Sequence, residues 1–138
     1  MNAERDAYNA LCSYTLAHGD VAFIHQHVVD AFAAQRADEE SKPIQPVFAL
    51  VGLYLLIEKQ FSGRQVQRVH MRLARHGRSW PRVVLPRERG SMTAVDVMAA
   101  HDGRERDAAI HAWCVSVWAA FAENRGVVAD LLRQHGIL

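Results

Sequence analysis

Thiol and imidazole are the side chains best suited to hold a transition metal or to carry nucleophilic catalysis, and this chain has two cysteines, Cys12 and Cys114, with eight histidines. The stretch SYTLAHGDVAFIHQHVVDAFAAQ sets His18, His25 and His27 close behind Cys12. At ~100° per residue His25 shares one side of a helix with Val21, Val28, Val29 and Phe32, which is predicted to face inward. Gln26, His27 and Asp30 fall on the opposite arc, with His27 and Asp30 paired at i,i+3, and His18 stays in the turn. If the first two helices fold back antiparallel about AHGD, Cys12 and His25 lie abreast. Neutral imidazole and thiolate are ligands that zinc or another transition metal prefers, so a Cys12/His25 site completed by His70, His111 or Cys114 is chemically reasonable. The same pair could act as a dyad in which His25 takes the Cys12 proton. Neither reading has diagnostic spacing behind it, for Cys-x-x-Cys and His-Glu-x-x-His are both absent. The common fate of such residues is a cysteine packed as a small hydrophobe and a core histidine hydrogen-bonded to a carbonyl or carboxylate.

The elements that must position these groups read as helices throughout. Ala3 to about Ala17 carries Tyr8, Leu11, Cys12 and Thr15 at helical spacing, with Asn2 as N-cap and His18-Gly19 as the stop. Asp20 is predicted to cap a second helix to about Arg36, and RADEESKP is a polar linker. A third helix from Pro43 or Pro46 carries PVFALVGLYLLI to about Lys59. Ser62 opens a fourth with Val66, Val69, His70 and Leu73 on one face, ended near His76 by Gly77. Residues 77–92 contain two prolines and cannot be a regular helix, yet Trp80, Val83, Val84 and Leu85 are too apolar for water, so this segment is expected to be ordered on the core. Thr93 with Asp96 starts a short helix. Asp102 opens a long one with the stripe Ile110, Trp113, Cys114, Val117, Trp118 and Phe121, which Gly126 is expected to break before a last helix from Val127 to His135. The fold class is therefore all-α: a single compact helical bundle of five to seven helices over residues 1–138, led by an antiparallel hairpin.

Composition narrows the function classes. Half the residues are hydrophobic, 22% are charged and the formal net charge is +1, which suits a globular chain and gives no overall field towards nucleic acid or an anionic membrane. The longest apolar run falls well short of the ~20 residues that span a bilayer, and the amino terminus lacks a signal-peptide pattern. A cytoplasmic protein with reduced cysteines and no membrane partner is expected. Arginines between Arg64 and Arg78 form a basic face, read first as solvated and second as a nucleic-acid surface. The apolar face of Val127, Val128, Leu131 and Leu132 suits either the monomer core or a homodimer interface.

Leu11-Cys12, the run from His25 through Val29-Asp30-Ala31-Phe32 to Gln35, Trp80-Pro81, Thr93 to Val97, and the helix with Trp113 and Trp118 together resemble a bacterial family known only as a domain of unknown function. The resemblance spans most of the chain. It implies a cytosolic bacterial helical protein and adds Asp30 and Gln35 to the residues of interest without assigning them chemistry. The first functional reading is thus a small accessory or ligand-binding protein with a polar element, Cys12, His25, Asp30, Gln35 and His70, in its core or a pocket. The alternative is a metal-binding protein or metal-dependent enzyme centred on Cys12 and His25.

Overall fold

A computed structural model describes residues 2–20 and 22–138. All regular structure among them is helical: α1 (Ala3–His18), α2 (His25–Arg36), α3 (Ile44–Lys59), α4 (Gly63–His76), α5 (Ala94–Ala99), α6 (Arg104–Ala120) and α7 (Arg125–Gln134), with a 3-10 turn at Ala122–Asn124. Several ends are set by local chemistry. The Asn2 side chain accepts from the Arg5 amide, and Gly19 closes α1 at φ 52°, where a left-handed turn favours glycine. Ser62 with Gln65 and Thr93 with Asp96 form reciprocal capping boxes for α4 and α5.

The start of α2 is set by a tertiary contact instead, and the expected helix from Asp20 is corrected to one from His25. The Ala22 carbonyl accepts from the Arg64 amide at 3.0 Å, so the incoming chain supplies an acceptor to the first turn of α4. Gly63 lies so close to the Phe23 carbonyl that a Cβ there would overlap it. Phe23 itself is held at φ 58°, which no helix accommodates. Val21, expected on the inner face of this helix, lies outside the described residues. A second correction concerns Gly126, which lies within α7. The long helix ends earlier, at Ala120, because Asn124 is drawn aside: its side chain accepts from the Val84 amide at 2.7 Å and donates to the Val84 carbonyl at 2.9 Å.

Helix α2 is the centre of the bundle, packed by α1, α3, α4 and α6. It therefore has no full solvent face, and this reverses the expected orientation of its polar residues. His27 and Asp30 are buried, at 7% and 3% exposure, while His25 is half-buried at the first turn. The apolar run of α3 is buried from Ala49 to Leu55 without a break. On α7, Val128, Leu131 and Leu132 close the monomer core, and Val127 stays exposed.

Residues 77–92 carry no helix and cross the bundle as a strap. Trp80 meets Phe48 edge-on at 5.2 Å between ring centres. The Gln35 amide donates to the Arg89 and Met92 carbonyls at 2.9 and 2.7 Å, and its oxygen accepts from the Trp113 indole at 2.9 Å. Arg89 returns the contact by donating to the carbonyls of Ala34, Gln35 and Ala37 at the C-terminal end of α2, where the Ala34 carbonyl also accepts from the Ala37 amide. No described helix is long and apolar enough to cross a membrane.

Candidate functional site

Two polar sites flank α2. The first is closed. His70 donates its Nε2–H to the Phe48 carbonyl at 2.8 Å, and since a carbonyl can only accept, this fixes the tautomer and leaves Nδ1 as an acceptor. The Gln26 amide nitrogen stands 3.4 Å from that Nδ1 and 3.2 Å from Asp30 Oδ1, so its two protons serve both neighbours. The His70 ring also stacks on Phe48 at 5.0 Å. Asp30 lies 3.9 Å from His70 Nε2, beyond hydrogen-bond length. Its Oδ2 has no partner and rests on α3 at Gly52, where any Cβ would overlap the carboxyl. Burial raises the Asp30 carboxyl well above its ordinary range, and burial lowers His70. Burial favours the neutral form of each, and the site is a packed polar node.

The second site is open. A cleft of about 600 Å³ lies where the α1–α2 connection meets the start of α4, bounded by Tyr14, Thr15, Ile24, His27, Leu56 and Phe61, with Asp20 and Asp107 at its sides. His27 lines it from the buried side, and His27 Nδ1 has no hydrogen-bond partner. Burial, with His111 nearby, pushes the His27 imidazole down to about 4, so it is neutral at neutral pH. Tyr14 is fixed at the rim, donating to Asp107 Oδ1 at 2.9 Å and accepting from the Gly103 amide at 2.9 Å. His18 approaches the Tyr14 carbonyl through Nδ1 at 2.6 Å, which places the proton on Nδ1 and leaves Nε2 as an acceptor.

The residues singled out from sequence are dispersed by the fold. His25 places Nδ1 2.9 Å from Thr15 Oγ1, so Thr15 rather than Cys12 stands beside it. The longer α1–α2 connection moves the hairpin register by almost one turn. Cys12 contacts Tyr8 instead, and burial raises its thiol. Cys114 is buried with Sγ 3.7 Å from the His27 carbonyl, its thiol also pushed up, and His111 is exposed on the same helix. Among the described residues no three His, Cys, Asp or Glu side chains are grouped so as to hold a metal ion. Of the named residues the structure brings together Asp30 and His70, joined by Gln26. Gln35 is spent on the strap. Tyr14 and Asp107 carry no sequence signal as a pair, being 93 positions apart. Gly52 did carry one: a glycine inside an apolar helix marks a close approach.

A family model, described as a family of unknown function (DUF5946), matches residues 5–122. The chain belongs to this family. The matched span takes in the polar node, the strap and every residue lining the cleft, so both sites lie within the DUF5946 region. No curated protein and no solved structure matches the chain.

Proposed function

We propose that the protein is a small-molecule-binding protein whose site is the cleft floored by His27. The observation that carries this reading is the buried His27 ring, whose Nδ1 has no protein partner, in the wall of a cleft of about 600 Å³. A buried polar atom left unpaired costs ~1–3 kcal/mol, a cost that a ligand able to hydrogen-bond there removes. The volume falls in the ordinary range for small-molecule sites, and the mix of Ile24, Leu56 and Phe61 with a few polar groups is the usual lining. The test is nuclear magnetic resonance of the histidine rings during titration with 2-phenylethanol, a neutral probe with an apolar body and one hydroxyl. Saturable shifts at His27, abolished in an Ala22→Trp variant that fills the cleft, are expected. Shifts that are absent, or unchanged in that variant, overturn the proposal.

A second reading rests on a different surface. Arg64, Arg68, Arg72, Arg75 and Arg78 are all exposed on or just beyond α4, and none pairs with a carboxylate among the described residues. Such a ridge suits the phosphates of a nucleic acid. Binding of labelled duplex DNA that weakens with salt, and is lost when Arg68, Arg72 and Arg75 become Gln, is the expected result. Binding indifferent to salt or to those substitutions rejects it.

A further inference from the structure

The charged groups that line the cleft are of one sign. Asp20 and Asp107 line it, while no lysine or arginine does. Arg106 stands 4.8 Å over the Tyr14 ring; its terminal nitrogen donates to the Met98 and Ala100 carbonyls, and its Nε has no partner. His18 directs a proton on Nδ1 to the Tyr14 carbonyl. The neutral His27 ring has one acceptor nitrogen and one N–H donor. The Gln60 amide gives one proton to the Ile57 carbonyl and keeps its second proton and its oxygen. Gln65 and Ser62 add donors: the Gln65 oxygen accepts from the Ser62 amide and leaves its NH2 free, and the Ser62 oxygen accepts from the Gln65 amide and leaves its hydroxyl proton free. The Tyr14 hydroxyl proton is spent on Asp107. What faces an incoming molecule is therefore a mixture of neutral donors and acceptors in which the charged groups are two carboxylates, with the aromatic rings of Tyr14 and Phe61 in the wall. Carboxylates and aromatic faces both attract cations, whereas an anion finds no lysine or arginine among the lining residues.

We infer that the ligand of this cleft is an organic ammonium ion, an apolar body carrying a protonated amine that donates to the acceptors around Asp20 and Asp107. This rests on the cleft being the binding site, and it adds the ligand's charge and donor chemistry to that reading. A metal cation is not the ligand implied, because no three metal-ligating side chains converge among the described residues and the walls are largely apolar.

Calorimetric or resonance titration at neutral pH with three probes of similar shape separates the two claims. These are 2-phenylethylamine as cation, 2-phenylethanol as neutral probe and 3-phenylpropanoate as anion. The amine is expected to bind about tenfold or more tightly than the alcohol, and the carboxylate more weakly than either. In the double variant Asp20→Asn, Asp107→Asn the amine's affinity is expected to fall to that of the alcohol, whose own affinity is unchanged. Both substitutions keep the Oδ1 atoms that accept from the Ile24 amide and the Tyr14 hydroxyl, so the local fold is preserved. Equal binding of amine and alcohol, or tightest binding of the carboxylate, overturns the ammonium inference while leaving the cleft as the site. Binding of none of the three at His27 rejects the cleft itself.

Discussion

His27 is buried and His70 largely so, both are lowered by desolvation and both are neutral at neutral pH, yet they stand in opposite situations. The His70 ring has a carbonyl on one nitrogen, an amide on the other and Phe48 stacked on its face. His27 has an unpartnered Nδ1 and a cleft beside it. A shifted imidazole therefore does not by itself distinguish a structural histidine from a functional one. What distinguishes them is whether the surrounding groups have already used the hydrogen-bonding capacity of the ring.

The largest effect should come from the closed node. In Gly52→Ala the new Cβ has to displace the Asp30 carboxyl, which is boxed in by α2 and Gln26, so a loss of about 3 kcal/mol or more is expected in urea denaturation. Asp30→Ala in the same chain vacates the space and should recover part of that loss. A Gly52→Ala protein within about 1 kcal/mol of wild type would show the node to be soft and remove the contrast with the cleft.

The next effect is a dependence on acidity. The unfolded chain takes up a proton on His27 near 6.5, while the folded chain resists until about 4. Between those values the unfolded state binds more protons, so stability falls as the pH falls, by up to about 3 kcal/mol for this one ring. His70 acts in the same direction. Asp30 acts oppositely: its raised carboxyl contributes most at low pH, below its ordinary value, and that contribution is lost as the pH rises through the folded value. Denaturation at several pH values should show a shallower acid slope in His27→Leu than in wild type, and Asp30→Asn should flatten the loss on the alkaline side. An unaltered slope in His27→Leu would mean that the folded ring titrates near its ordinary value.

These contrasts also mark where the sequence stopped being informative. The caps of α1, α4 and α5 were legible because the donor and acceptor lie within a few residues of each other. The all-helical class followed from the stripes on α4 and α6 and the apolar run of α3. The burial of His27 and Asp30 was not legible, because periodicity assigns a helix one inner face and α2 is surrounded on several sides. The start of α2 depends on Phe23 meeting Gly63, 40 positions on, which no local pattern announces. Cys12 and His25 were adjacent only under a tight turn; the connection that docks on α4 moves Thr15 into that place.

A smaller loss is expected from removing the node's histidine ring. His70→Leu keeps most of the buried volume but frees the Phe48 carbonyl and one Gln26 proton, and should cost about 2 kcal/mol at neutral pH. A neutral result would mean that water reaches both groups and that the node is as open as the cleft.

The smallest effect on stability is the sharpest test of the comparison. In His27→Leu at neutral pH, no protein hydrogen bond to Nδ1 is lost, and an orphaned polar atom is exchanged for a methyl-bearing side chain of similar breadth. The change in unfolding free energy should stay within about 1 kcal/mol, with a gain as conceivable as a loss. Binding of 2-phenylethylamine should nevertheless weaken, since the acceptor at the floor of the cleft has gone. A stability loss as large as that of His70→Leu, with probe binding intact, would make His27 a second structural histidine and leave the cleft without its functional group. Stability preserved with binding impaired would identify its unused hydrogen-bonding capacity as the part of the fold reserved for a ligand.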